Sequence, residues 1–266
     1  MNGNMTQETA ELVAQHELGN GYKKISLLAP AAAALAKPGQ FVHARIPGLD
    51  AASLRRPFSI YDAENEILTI VYKQVGRGTG QLASLATGAK IDLIGPLGNG
   101  FPMPSEGAVP LLVAGGYGVA PLHFFARKIS TPGHLFVGGR TATDILCVDA
   151  FEKLSWPVHI ATEDGSLGAR GRVTDVLLPW IENKKAGADN HNPALLEAFA
   201  CGPAGMLKAL SQQLSIPAWL SLDKHMVCGV GACWACVQKI TLSDGAVANV
   251  RVCHDGPVFN ARSIAW

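Results

Sequence analysis

The chain has 266 residues, 48% of them hydrophobic, and a formal net charge of +1, which suits two ordinary globular domains with an appendage. Its lysines and arginines form no basic stripe or block and no acidic tail is present, which argues against nucleic acid as a partner. Six cysteines, four of them between residues 228 and 253, follow an N-terminal stretch without secretory-signal features, so metal binding is expected rather than a disulfide framework.

From about Glu8 to Phe101 the pattern is of short β-rich pieces, including Lys24–Leu28, Gln40–Ile46, Phe58–Tyr61 and Ile67–Tyr72, separated by Gly, Pro and Asp turns, and a small antiparallel barrel is expected. The most apolar span, Leu27–Ala36, contains Pro30 and is far short of the roughly 20 residues that cross a bilayer, so no membrane span and a cytoplasmic location are expected. Arg55-Arg56-Pro57-Phe58-Ser59 opens one of the strands, where an arginine can pair with a pyrophosphate and the following residues can reach a flavin ring. Read alone, it is more often a surface arginine before a proline turn. Tyr72 to Gly80 reads as a strand running into a glycine-rich turn that offers backbone amides and Thr79 to a phosphate. Gly95 to Pro102 is too rich in Gly and Pro to continue a strand and is read as a boundary or a ligand-facing loop.

Beyond it the rhythm changes. Val109–Ala114, Leu135–Gly139 and Val158–Thr162 read as buried strands, alternating with helices at Pro121–Ile129 and Asp144–Leu154, which implies a parallel sheet. Val173–Ile181 and Gly205–Leu214 are expected as helices, and Leu195–Cys201 as a further strand or a strand preceded by a short helix. Gly115, Gly116 and Gly118 lie between strand and helix, where a dinucleotide pyrophosphate can approach a helix N-terminus, although their spacing also suits a plain tight turn. Cys201 and Gly202 open a second glycine turn after the late strand and would border a nicotinamide. The polar Asn183–Asn192 stretch is expected as a mobile surface connection. From Trp219 onward no strand–helix alternation is evident, and the tail reads as a third module.

Cys228, Cys233 and Cys236 are separated by four and then two residues, and Cys253 follows after sixteen more, the spacing of plant-type 2Fe-2S ligation. Each iron of such a cluster takes two thiolates. The small residues Gly229, Gly231, Ala232 and Ala235 leave room for the backbone to wrap it and aim amides at its sulfurs. A structural zinc site and unrelated buried cysteines are the competing readings. Cys147 and Cys201, each standing alone, suit small buried hydrophobes.

Arg56-Pro57-Phe58-Ser59, Gly78-Thr79, Gly95 to Phe101, Gly115 to Pro121 and Glu163 to Ser166 together resemble the electron-transfer subunits of two-subunit, NAD-dependent dihydroorotate dehydrogenases, a branch of the ferredoxin reductase superfamily. The run Met226 to Cys233, with Cys253 to Phe259, is the most diagnostic part, and the resemblance extends from about residue 10 to the C-terminus. It implies a multidomain β and α/β protein: a β-barrel for FAD over residues 1–103, a parallel-sheet domain for NAD over 104–217 and a small 2Fe-2S module over 218–266. Carried over by position, Arg56, Pro57, Phe58, Ser59, Val71, Tyr72, Lys73, Gly78 and Thr79 would hold FAD. Cys228, Cys233, Cys236 and Cys253 would hold the cluster. Asp223 and His225 stand where the family often has Glu and Arg. The resemblance further implies an FMN-containing catalytic partner that oxidises dihydroorotate in pyrimidine biosynthesis, in a heterotetramer of two plus two chains. No acid or base on this chain is called for. An accessory reductase subunit serving a hydrogenase, a sulfide-linked enzyme or a ferredoxin would share the fold, as would a cluster-bearing scaffold that has lost hydride transfer. NAD and NADP are not distinguished.

Overall fold

A computed structural model describes residues 5–49, 54–186 and 195–266. Strands β1 (Thr6–Gly19) and β2 (Tyr22–Leu28) precede a short helix α1 (Pro30–Leu35). Strands β3 (Phe41–Arg45), β4 (Arg56–Glu64) and β5 (Ile67–Lys73), helix α2 (Arg77–Ser84) and strand β6 (Lys90–Leu97) follow. The six strands close into an antiparallel barrel in the order β1-β2-β5-β4-β3-β6. Strand alternation fills it: Ile25 and Leu27 from β2, Val42 and Ala44 from β3, and Leu68 and Ile70 from β5 meet inside.

Two expectations within this region are corrected. Gly95-Pro96-Leu97 does continue a strand, because Phe41–His43 opposite it carries a register shift and Pro96 is not required to donate to a regular ladder. Gly78 to Gly80 is helical rather than a turn. The Thr79 hydroxyl accepts the backbone N–H groups of Val75 and Gly76, at 2.9 and 3.2 Å, and so starts α2.

Strand β7 (Val109–Gly115) leads through a 3₁₀ turn at Gly116–Gly118 into helix α3 (Val119–Lys128), then strand β8 (His134–Gly139). The expected helix over Asp144–Leu154 is only a 3₁₀ turn, Ala142–Asp144, and the short helix α4 (Val148–Glu152). Cys147, at φ 57°, breaks the run between them. Strands β9 (Val158–Thr162) and β10 (Ala169–Arg170), helix α5 (Val173–Ala186), strand β11 (Leu196–Cys201), helix α6 (Ala204–Gln213) and strand β12 (Ala218–Ser221) complete this part. The connection expected over Asn183–Asn192 begins as the last turn of α5, and its remainder lies outside the described residues.

The tail forms a hairpin of β13 (Val237–Thr241) and β14 (Val247–Arg251), then helix α7 (Val252–Asp255) and strand β15 (Val258–Asn260). The second sheet has the order β10-β9-β8-β7-β11-β12-β15, parallel except for β15, which pairs antiparallel with β12. Thus two strands from beyond residue 217 belong to it, although the tail lacks strand–helix alternation. Each is three or four residues long, too short to show a period. Helices α3 and α4 cover one face, around Leu112, Leu122, Phe125 and Phe151; α5 and α6 cover the other, around Val113, Leu177, Ala200 and Leu210. The barrel is fastened to the sheet through α3, where the Tyr61 ring stacks on His123 at 4.1 Å and Arg127 pairs with Asp62 and Glu64.

Candidate functional site

The C-terminal ends of parallel strands carry unsatisfied turns, and in open α/β sheets these form the ligand crevice. Here β7, β8 and β11 end around a cavity of about 620 Å³. Gly115 and Gly116 line it, together with Tyr22 and Lys73 of the barrel, Tyr117, Gly138–Arg140, Asp144, Glu163, Arg172–Thr174, Pro203 and Met206. Part of the need for glycine comes from turn packing against turn: a Cβ on Gly118 would collide with the Cys201 carbonyl, and one on Gly115 would lie 2.7 Å from the Pro203 ring. Asp144 anchors the barrel side of the cavity. Its carboxylate accepts the Tyr22 hydroxyl at 2.9 Å, lies 3.4 Å from Lys73 Nζ and accepts the Arg140 backbone N–H at 3.2 Å. Burial alone would raise its pKa, but the Tyr22 hydroxyl and the Lys73 charge outweigh it and hold the carboxyl below its usual value.

A second cavity of about 190 Å³ lies between barrel and sheet. Pro57, Phe58 and Ser59 of β4, Val71, Tyr72 and Lys73 of β5 and Thr79 of α2 form its barrel wall. Gly118, Cys201 and Gly202 face them, so these three line this smaller cavity and not the larger. Phe41, Ser221, Asp223, Met226 and Pro257 complete it. The Tyr72 hydroxyl is buried and has no hydrogen-bond partner among the described residues, as expected of a wall built for a polar ligand such as a flavin ring. Arg56 stands at the edge, its guanidinium so close over Gly78 that a Cβ there would be 2.7 Å from Nε. The neighbouring Arg55 is committed elsewhere, to Asp92 at 2.5 Å. Neither Arg56 nor Gly78 lines either of these two cavities. Burial, followed by the charge of Asp223, pushes the Cys201 thiol up to about 12, so it is a neutral wall and not a nucleophile. Lys73 and Tyr117 line both cavities, and the Tyr117 hydroxyl meets Asp223 at 3.3 Å, five residues ahead of Cys228.

The four clustered cysteines stand in two pairs, Cys228 with Cys233 and Cys236 with Cys253, joined by side-chain contacts. Among the described residues no three His, Cys, Asp or Glu side chains converge on one metal position. Two pairs match a two-iron group, in which each iron takes two thiolates, better than a single tetrahedral zinc ion. Backbone amides already serve the sulfurs: Ala232 N–H reaches Cys228 Sγ at 3.3 Å and Cys253 N–H reaches Cys236 Sγ at 3.4 Å. Burial opposes ionisation of Cys228, yet the backbone groups of Cys233, Val230 and Ala232 bring its pKa down to about 7. Gly229 and Gly231, at φ 72° and 85°, give the loop the left-handed turns that aim those amides inward. Arg251 braces the loop by donating to the Gly231 carbonyl at 2.9 Å and lying 4.8 Å over the Trp234 ring. Cys233 is exposed, among exposed Val227, Val230, Trp234 and Val237, whereas Cys236 and Cys253 are buried.

Tyr22, Asp144, Arg140, Arg172, Thr174 and Met206 were not among the candidates from sequence. They come from strand β2, the connection after β8, the start of α5 and the first turn of α6, with no shared motif, and only the fold brings them to one cavity.

The family model for the iron-sulfur cluster binding domain of dihydroorotate dehydrogenase B matches residues 223–265. The electron transfer subunit of dihydroorotate dehydrogenase B (NAD(+)) from Desulforamulus reducens is 36% identical over 246 residues, 90% of each chain. The subunit of the same name from Bacillus caldolyticus is 40% identical over 236 residues, 86% of each chain. That from Geobacillus thermodenitrificans is 37% identical over 266 residues, covering 97% of this chain and 98% of the relative. Among solved structures, an NADH-dependent reduced ferredoxin-NADP oxidoreductase studied for flavin-based electron bifurcation superposes with a TM-score of 0.81 at 28% identity, covering 100% of this chain and 92% of the other. A ferredoxin NADP+ reductase from Neisseria gonorrhoeae shares the fold at a TM-score of 0.63 and 16% identity, covering 80% of this chain and 91% of the other. Within the described residues no helix is long and apolar enough to cross a membrane.

Proposed function

We propose, from the premise that this chain belongs to the electron transfer subunits of dihydroorotate dehydrogenase B, that it carries electrons from a dihydroorotate-oxidising partner subunit to NAD+. The observation that carries the reading is the order of the sites: the larger cavity shares Lys73 and Tyr117 with the smaller, and the smaller is closed by Asp223, Met226 and Pro257, which flank the cysteine loop. A nucleotide, a flavin and a cluster placed in these three sites would be neighbours in that sequence.

Residues 1–103 are assigned to FAD, 104–217 to NAD and 218–266 to the 2Fe-2S cluster. FAD, when bound, supplies exchange between one-electron transfer with an iron–sulfur cluster and two-electron transfer with a nicotinamide. The chain's part is placement. Pro57 to Ser59 and Val71 to Lys73 form the wall against which a flavin ring would lie, and Arg56 at its edge supplies a fixed positive charge for a pyrophosphate. Gly115 and Gly116 give a pyrophosphate close access to the β7 turn, while Cys201 and Gly202 pack beneath the junction with the flavin wall. Cys228 with Cys233 would hold one iron and Cys236 with Cys253 the other, beside backbone N–H donors that would favour the reduced, more negative cluster and so raise its potential. No group on this chain need act as acid or base. An FMN-containing partner, a heterotetramer of two plus two chains and a cytoplasmic location are proposed with this reading.

The full-chain likeness to the ferredoxin-NADP oxidoreductase favours one other reading, an accessory reductase subunit of a different redox complex. Anaerobic purification with and without the candidate dihydroorotate-oxidising subunit separates the two. Flavin, two irons and two sulfides, bleached by NADH in the chain alone and by dihydroorotate only in the complex, are expected. Flavin and cluster indifferent to dihydroorotate in the complex would leave the accessory reductase, and zinc without sulfide would refute the cluster.

A further inference from the structure

The alternation of β3 turns Val42 and Ala44 into the barrel and Phe41 and His43 outward. Outward at this point is not towards solvent. His43 is completely buried, and its cross-strand neighbour on β4 is Pro57, within the flavin wall. The cysteine loop closes over its other side so tightly that a Cβ on Gly229 would come within 2.5 Å of His43 Nδ1. Neither ring nitrogen has a hydrogen-bond partner of acceptable geometry among the described residues. A fully buried imidazole left in that state is costly, and one facing a loop of cysteine ligands invites completion from that loop. The ring also lies against the backbone of Cys228 and of Arg55, and a neutral imidazole holds one N–H to give and one lone pair.

We propose that His43 is a positioning residue which, once the four cysteines carry their iron–sulfur group, donates its N–H to Cys228 and thereby seats the cluster loop on the strand beside the flavin wall. The proposal rests on the cluster reading above. It adds a donor supplied by the barrel to those supplied by the loop itself, and makes one side chain a common boundary of the two redox sites. Donation to the Cys228 sulfur would favour the reduced cluster. Donation to the Cys228 carbonyl would fix the loop without changing charge at the sulfur.

The test uses the full chain, purified anaerobically, as wild type, His43→Leu and His43→Gln, with iron, sulfide and flavin counted first. A wild-type chain lacking iron and sulfide would bring down the cluster reading, and the proposal with it. With both groups loaded, the Leu variant is expected to show altered g-values of the reduced cluster and slower reduction of the cluster after rapid mixing with NADH. Its midpoint potential is expected to fall by about 59 mV if the acceptor is sulfur, the equivalent of tenfold in a one-electron equilibrium, and to stay in place if the acceptor is the carbonyl. The Gln variant, which keeps a donor, should recover most of either effect. Should His43→Leu fail to fold or load, electron–nuclear double resonance on wild type labelled with 15N-histidine replaces it, and a coupling to the imidazole is expected. A loaded Leu variant with unchanged g-values, potential and transfer rate, or wild type without that coupling, overturns the proposal.

Discussion

Cys228 shows how much of the chemistry belongs to single residues. Its sulfur is served by backbone amides and its pKa is brought to about 7, so it readily releases its proton to solvent and binds a metal as the thiolate. Cys228→Ser is expected to abolish cluster assembly, read as loss of iron and sulfide, while flavin content and thermal melting change little, because Cys228 belongs to neither the barrel nor the sheet core. Gly118 is a case of the opposite kind. Gly118→Ala would drive a methyl into the Cys201 carbonyl between two packed turns, at a cost of about 1–3 kcal/mol. Since Gly118 and Cys201 together line the smaller cavity, loss of bound flavin should accompany the lower Tm, measured by absorbance and thermal denaturation. The cysteine pattern was legible because ligand spacing is a one-dimensional property. The role of Gly118 as a wall of the smaller cavity was not, because that depends on which turn of another strand it meets.

At the scale of elements, helix α3 binds the two large parts together. From Val119 to Ala126 every residue is buried, and its His123 ring lies flat against Tyr61 of β4. His123→Ala removes that stack and a buried contact with the Tyr61 carbonyl, at 3.2 Å. A loss of about 2 kcal/mol is expected, which for a chain of this size lowers Tm by roughly 4–8 °C. The cluster should remain loaded, as metal analysis can verify, because α3 lies on the sheet face away from the cysteine loop. The alternation that identifies β7, β8, β9 and α3 was readable from sequence through the lengths of the apolar runs and the Gly and Pro residues that bound them, not through an amphipathic period. Strands β6, β12 and β15 escaped for separate physical reasons. Pro96 marks β6 as broken where a register shift accommodates it, and the other two draw their pairing from distant residues. The Asp144–Leu154 segment has helical composition, but the left-handed Cys147 divides it, and only the tertiary structure shows that.

For the whole molecule the question is how barrel and sheet keep the two cavities in register, and Asp144 is the group that spans them. It sits on the sheet side and accepts a hydrogen bond from Tyr22 and the charge of Lys73, both on the barrel, with Lys73 lining both cavities. Because its folded pKa is depressed below 3.8, the unfolded chain takes up a proton first as the solution is acidified. The stabilisation is therefore complete above the ordinary carboxylate range, near pH 3.9, and is lost as pH falls through the folded value. Asp144→Asn keeps an acceptor for Tyr22 but removes the charge that faces Lys73. At pH 7 it should be less stable by about 1.5–3 kcal/mol, the range for a hydrogen bond to a charged group. Its melting temperature should also fall less steeply than that of wild type below pH 4, so that the two converge in acid. Parallel Tm–pH curves for the two proteins would show that the carboxylate does not fasten the seam. Lys73, released from its partner, would in the Asn variant be free to meet anionic ligands in either cavity, so nucleotide affinity should hold or rise while stability falls. That divergence, read by titrating the flavin spectrum with NAD+, separates a fastening role for Asp144 from a direct role in binding the nucleotide, for which affinity and stability would fall together.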